Sequence, residues 1–345
     1  MKCKVIAIDL AKSIFQVCGL SDTQAVLFNH SVKRAELLRQ AAQWEPCLVA
    51  MEACSSAHYW GRRLTQMGHQ VRLIPPQHVK AFARTHKSDA HDALAIAEAA
   101  LRPKVHSVPI KTIAQQDMQL LNRLRERSVR QRTRVLNQIR GFAAEYGVIF
   151  ARKRKALMSE LPLALEDDEN GFSFVVRAQL SSLREDILSL DQRIDDLQHQ
   201  LQALTQTDPA FARLMETPGY GKIVSAAFLG SVGQGHQFKN GRSVAAWVGL
   251  VPKQNGSGGK TQLLGITKNG DRHLRCMLVH GARAVIRWID RRDDELSAWL
   301  KPLIARRGKN RATVALANKL ARIGWNIVAN NENFDMKKAF GRQTA

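Results

Sequence analysis

Along the 345 residues the spacing of apolar and polar positions changes twice. In the first stretch, CKVIAIDLA, SIFQVCGL and AVLFNHSV are short apolar runs separated by turn residues, which predicts three successive strands. KRAELLRQAAQW carries its apolar residues at helical spacing. CLVAMEA is a buried strand, and SSAHYWGRRLTQMG is a helix that Ser55 or Ser56 would cap. QVRLIPP is a fifth strand stopped by Pro75 and Pro76, and HKSDAHDALAIAEAALR opens a further helix.

Three strands followed by helix, strand, helix, strand, helix is the element order of an α/β RNase H-like domain, here residues 1–110. From 111 to 207 the strand pattern disappears. Leu180, Leu183, Ile187, Leu190, Ile194, Leu197, Leu201 and Leu204 follow a 3-4-3-4 spacing, which predicts a coiled-coil seam. That seam closes either as an antiparallel hairpin turned at ENGFSF or as an interface between two copies. Beyond residue 208 the chain is mainly helical, and LMETPGYGKIVSAAFLGSVG predicts two helices joined by a tight glycine turn, a helix-hairpin-helix-like element.

Charge sharpens this division. The formal net charge is +22, with 52 Lys+Arg against 30 Asp+Glu, and a surplus of that size points to a polyanion such as nucleic acid. Residues 117–155 hold 11 Lys/Arg and 3 acids, residues 160–207 hold 10 acids and 3 Arg, and residues 236–345 hold 21 Lys/Arg and 7 acids. The basic helix therefore either contacts nucleic acid or pairs with its acidic successor. No apolar run approaches the ~18–20 residues that span a bilayer, which argues against a membrane partner. Five scattered cysteines without a CxxC pair predict reduced, inert thiols in a cytoplasmic protein and no structural zinc site, and a DNA partner would place that protein at the nucleoid.

The candidate chemistry lies in four acids and one serine. Asp9 ends the strand VIAID, Glu52 ends LVAME, and ligands gather at the carboxyl edge of such sheets. Asp89 and Asp92 share one helix face, about 5–6 Å apart. If that helix crosses the same edge, four carboxylates meet, and a hard divalent cation, Mg²⁺ or Mn²⁺, is the natural compensation. Taken one at a time, Asp89 and Asp92 also suit the positive end of a helix, with Ser88 or Asp89 as its cap. GLVPKQNGSGGKTQLLGITKNGDRHLR is not a phosphate-binding P-loop, because the required first glycine falls on Gln254. It leaves Ser257 as a hydroxyl on a glycine-rich turn, with no neighbouring His or Asp to activate it. Gly219, Gly221 and Lys222 at the tight turn, and Lys253, Lys260, Lys268, Arg272 and Arg275 around the serine segment, are candidate phosphate contacts.

Asp9, Glu52 and DAHDALAIAEA together resemble the acidic signature of the DEDD insertion-sequence transposases, relatives of the Piv/MooV DNA invertases. ETPGYGKIVSAAFL, FKNGRSVAAWVGLVPKQNGSGGK and LLGITKNGDRHLRCMLVHGARAV resemble the C-terminal domain of the insertion-sequence family numbered one hundred and ten, in its eleven-eleven subgroup. The resemblance implies a RuvC-like domain over 1–110, with Asp9, Glu52, Asp89 and Asp92 as an Mg²⁺-binding tetrad. It implies a helical, coiled-coil region over 111–207 and a C-terminal transposase domain over 208–345, with Ser257 as nucleophile. It further implies donor and target DNA as substrates, a structured non-coding guide RNA, and a homo-oligomer, either dimer or tetramer. Two other readings stand beside it: a RuvC-like Mg²⁺-dependent endonuclease that uses water, and a non-catalytic nucleic-acid-binding scaffold.

Overall fold

The computed structural model describes residues 3–83, 88–257 and 260–341, which divide into two compact units, 1–112 and 113–345. In the first unit, β1 (Val5–Asp9), β2 (Ile14–Leu20), β3 (Val26–Lys33), β4 (Leu48–Glu52) and β5 (Gln70–Ile74) form one sheet in the order β3-β2-β1-β4-β5. The β1–β2 and β2–β3 pairs are antiparallel, whereas β1–β4 and β4–β5 are parallel. The sheet is therefore mixed, as a meander followed by two crossover helices requires. Those helices are α1 (Leu37–Ala41) and α2 (Ala57–Gln66); α3 (Pro76–Val79) and α4 (Asp89–Ala100) follow the last strand.

Alternation along the strands divides the core. Val5 and Ala7 face α4, while Ile6 and Ile8 join Phe15, Met51, Trp60 and Leu64 on the side of α1 and α2. The buried surface of α4 is almost all alanine (Ala93, Ala97, Ala99 and Ala100 with Ile96), which lets the helix axis lie close to the sheet. Two local expectations change. The helix read from KRAELLRQAAQW shortens to a 3-10 turn, Arg34–Glu36, and the five residues of α1. Ser56 precedes α2 with φ 69° and its side chain caps nothing, so the helix starts from a left-handed residue instead of a hydroxyl cap.

The second unit is helical: α5 (Ile113–Ala144), α6 (Arg154–Glu166), α7 (Phe174–Thr205), α8 (Pro209–Met215), α9 (Lys222–Val232), α10 (Gly241–Trp247), α11 (Arg272–Arg287), α12 (Glu295–Arg307), α13 (Lys309–Asn330) and α14 (Met336–Phe340). Its strands are β6 (Pro252–Ser257) and β7 (Lys260–Ile266), an antiparallel ribbon. The serine segment is thus a strand pair where the sequence suggested a loop.

α5 and α7 run antiparallel, because Arg125 donates to Gln198 (3.2 Å) and Arg132 pairs with Asp191 (2.5 Å). Arg154 of α6 meets the other oxygen of Asp191. The basic helix is thus partly neutralised by its acidic neighbour. Leu180, Ile187, Leu190, Ile194, Leu197 and Leu201 are all buried within the single chain, under α5, α6 and the helices beyond; Leu204 is 43% exposed. Of the two closures, the chain shows the antiparallel pairing within itself, but not turned at ENGFSF: α6 intervenes between α5 and α7, and ENGFSF joins α6 to α7.

Around α13 the remaining helices enclose a second core. Gly219 (φ 96°) and Gly281 of α11 touch backbone to backbone: a Cβ on Gly281 would lie 2.1 Å from the Gly219 carbonyl oxygen. Only a pair of glycines permits that approach.

Two outcomes follow from these contacts. Leu190→Asp and Leu197→Asp each place a charge in the hairpin and should cost at least about 2 kcal/mol, lowering the thermal midpoint read by circular dichroism. Leu204→Asp, at an exposed site, should leave the midpoint unchanged. In the first unit, His58 Nδ1 accepts the Lys111 backbone N–H (3.3 Å), and burial, then the Lys111 and Arg62 charges, push its pKa from 6.5 down to about 4. The folded state therefore refuses a proton that the unfolded chain takes up. Its contribution is complete above pH 6.5 and is lost as pH falls toward 4, at no more than about 1.4 kcal/mol per pH unit. Chemical denaturation of wild type and His58→Gln across that window should show a shallower acid loss in the variant.

Candidate active site

Parallel pairing of β1 with β4 brings Ile8 opposite Met51, so the next residues, Asp9 and Glu52, end neighbouring strands at one sheet edge. Strands in such a pair lie about 4.8 Å apart, close enough for the two carboxylates to interact. α4 packs over β1 with its first turn bearing Asp89 and Asp92.

Asn29 on β3 anchors this first turn and is itself held by Gln16 and, through it, Ser31. Asn29 Nδ2 donates to the Ala90 carbonyl (2.9 Å), Gln16 Nε2 donates to Asn29 Oδ1 (2.7 Å), and Ser31 donates to Gln16 Oε1 (2.8 Å). Gln16 is itself the cross-strand partner of Asp9. One ladder of amides therefore links the strand of the first acid to the helix of the last two. The sequence offered a faint sign of it in Gln16, a buried amide inside the apolar run SIFQVCGL.

The cap of α4 bears on the acids as well. Ser88 Oγ accepts the His91 backbone N–H (3.3 Å), so neither Asp89 nor Asp92 is needed for capping. Electrostatics ties three of the four acids together. The Glu52 carboxyl is raised by burial and then by the Asp92 charge. The Cys54 thiol, two residues beyond Glu52, is raised by burial and then by Glu52 and Asp9. Cys54 is thus a neighbour of the acidic edge that the sequence did not single out. Asp89 is exposed at the start of the helix.

Among the described residues no three His, Cys, Asp or Glu side chains already close around a point where a metal ion would sit. The donor set nevertheless suits a hard divalent ion: these are oxygen ligands, and the charge repulsion raising Glu52 is the kind that a cation relieves.

Ser257 is the last residue of β6, paired in register with Lys260; its side chain lies outside the described residues. Lys253 and Lys260 are exposed on the ribbon, and Lys268 follows it with φ 58°. Arg272 is exposed in the first turn of α11, whereas Arg275 donates to the Val248 (2.7 Å) and Asn269 (2.8 Å) carbonyls. At the tight turn, Gly219 packs against α11. Gly221 is the N-cap of α9 with open space beside it, and Lys222 Nζ reaches Gln202 (2.7 Å). Among the described residues no helix is long and apolar enough to cross a membrane.

Comparison with known proteins agrees with both units. Residues 6–147 match a transposase family model, and residues 211–297 match that of the transposase IS116/IS110/IS902 family. The transposase for insertion sequence element IS1111A of Coxiella burnetii is 41% identical over 331 residues, 96% of this chain and 91% of that protein. A probable family 20 transposase of Pseudomonas aeruginosa is 44% identical over 325 residues, 94% of this chain and 96% of the relative. A putative transposase of Sinorhizobium fredii, y4pF/y4sB, is 36% identical over 338 residues, 95% and 85% of the two chains. With identity at this level spread along nearly its whole length, the chain belongs to the IS110/IS1111 family of DEDD transposases.

Proposed function

We propose that this transposase is an RNA-guided DNA recombinase that cuts and rejoins strands through a serine-linked intermediate. Its first 110 residues would form an RNase H-like (RuvC-like) catalytic domain, residues 111–207 a helical spacer, and residues 208–345 the domain carrying the serine. The observation that carries the reading is the acidic edge. Asp9 and Glu52 end adjacent parallel strands, and Glu52 feels the charge of Asp92 from the first turn of α4. Asp9, Glu52, Asp89 and Asp92 would hold Mg²⁺ or Mn²⁺, which when bound stabilises negative charge on a phosphodiester and on its leaving oxygen.

In the chemistry proposed for Ser257, its Oγ attacks the phosphorus of one strand and gives up its proton. The P–O3′ bond breaks, leaving a 3′-hydroxyl and a 5′-phosphate on the serine. The 3′-hydroxyl of the second duplex then attacks that phosphorus and releases the serine, so the number of phosphodiester bonds is conserved without an external energy source. The basic C-terminal region, with Gly221, Lys222, Lys253, Lys260, Lys268 and Arg272 as backbone contacts, would hold DNA and the guide RNA. A chain bearing +22 has the charge for two polyanions at once.

Separate measurements address the two halves of the site. Asp9→Asn, Glu52→Gln, Asp89→Asn and Asp92→Asn should each reduce strand exchange by at least about 100-fold, the scale of losing a group that acts in the transition state. Mg²⁺ should raise the thermal midpoint of wild type, as binding to the folded state requires, and raise that of Glu52→Gln less. If Asp89→Asn and Asp92→Asn retain normal Mg²⁺-dependent exchange, the tetrad reading fails.

For the serine, a nicked substrate that stalls rejoining should trap protein-linked DNA, and mass spectrometry after nuclease digestion should place the phosphate on Ser257. Ser257→Ala should lose adduct and exchange together while still binding DNA. Ser225→Ala, Ser231→Ala and Ser243→Ala, in α9 and α10, serve as controls. Release of free DNA ends at the normal rate by Ser257→Ala would identify a water-dependent nuclease instead. Sequencing of RNA co-purified with the protein tests the guide.

A further inference from the structure

Trp288, the residue that caps the end of α11, is 49% exposed, while the other five tryptophans are buried or half-buried. It belongs to no part of the apolar core. Two guanidinium groups attend the ring, Arg291 at 4.6 Å and Arg287 at 5.5 Å from its centroid. Arg283, one turn earlier, is exposed as well. Nearby acids are Asp290 and Asp293, while Arg292 is tied to Asp294 through Nε (2.8 Å). An indole kept out of the core and flanked by arginines gains little for folding. It presents a half-exposed aromatic surface over which two cations lie, so a base that stacks there takes the place of a guanidinium group.

The surroundings extend the surface. Ala284, one turn before Trp288 on the same helical face, lines a groove of about 610 Å³ between α5, the Gly219–Gly221 turn and α11. Arg125, Glu126 and Arg130 line it from α5, with Arg130 and His273 paired to Glu126, and His280 lines it from α11, with Val129 and Met277 as apolar wall. The groove and the indole together make a path with aromatic, apolar and cationic groups in succession.

We propose that Trp288 is a stacking platform for an unpaired nucleobase, with Arg287 and Arg291 holding the flanking phosphates and the neighbouring strand running toward the groove. The chemistry selects the ligand. In a duplex, base faces are covered by their neighbours and only edges and phosphates are offered. An exposed indole between arginines therefore gains its stacking energy only from a base that has left its stack. The inference rests on the strand exchange proposed above, because exchange necessarily exposes unpaired nucleotides. Single-stranded DNA and RNA offer the same base face, so the platform serves either, and the test separates them.

The test uses the full chain with fluorescein-labelled oligo(dA), oligo(rA) and a blunt duplex of equal length, compared at one salt concentration and then over a salt series. Trp288→Leu should weaken binding to one or both single strands by about tenfold and leave duplex affinity within about twofold. Trp288→Phe, which keeps an aromatic face, should recover most of the loss. The oligo that suffers the larger loss identifies the strand type. Arg287→Ala with Arg291→Ala should also make the salt dependence of single-strand binding shallower, which the tryptophan variants should not do. Equal thermal midpoints of Trp288→Leu and wild type would show that the half-exposed site tolerates the change.

Unchanged single-strand affinity in Trp288→Leu, with duplex still bound, overturns the platform alone. Equal losses on single strand and duplex overturn base selectivity, and a change in oligomeric mass without a change in affinity assigns the ring to a protein contact. Failure of wild type to bind any of the three oligonucleotides overturns the nucleic-acid reading as well.

Discussion

The parallel ladder between β1 and β4 is the constraint on which the acidic edge depends. Backbone hydrogen bonds, not side chains, hold the ends of these strands together, so the positions of Asp9 and Glu52 cannot part without breaking the centre of the sheet. A third carboxylate arrives on α4, brought close by alanines and held at its first turn by Asn29. The acidic edge therefore carries a standing cost, first of burial and then of the Asp92 charge, visible in the raised Glu52 carboxyl. Folded proteins tolerate such costs chiefly where the charges have work to do.

In the second unit the opposite arrangement holds. Arg132 and Arg154 converge on Asp191, and the charge of the basic helix is spent in part on its own neighbour. The cations left in excess lie farther along the chain, in the ribbon and in α11. This distribution turns a diffuse property of the sequence, its large positive charge, into particular surfaces.

How much of this was legible beforehand depends on whether the deciding interaction is local. VIAID and LVAME read as strands ending in acids because alternation and burial are local, and Asp89 and Asp92 share a face by helical spacing alone. The seam from Leu180 to Leu201 was plain as a stripe, but a stripe does not say what covers it; the answer is α5, some 60 residues upstream, as the Arg132–Asp191 pair shows (|i−j| 59). The ribbon was missed because glycine and lysine at its tip look like loop, while its cross-strand register (Gln254 with Leu263, Asn255 with Gln262) is a pairwise property. Cys54 and Asn29 were missed for the same reason. Nothing in their own neighbourhoods marks them, and their importance comes from Glu52 and Ala90, which the fold brings to them.

The ribbon of β6 and β7 also sets the way in which its tip can be moved. It is exposed along most of its length and carries its register in its own ladder, with one irregularity between Pro252 and Gln254 at its base. A strand turns its side chains over at each residue, so lengthening both strands by one would present position 257 on the reverse side of the ribbon. Lengthening both by two would restore the side and carry the tip about 7 Å farther. Reach and orientation are thus coupled through the parity of the strand: the ribbon is a ruler graduated in pairs of residues, and only a bulge such as the one at its base can take up a single step.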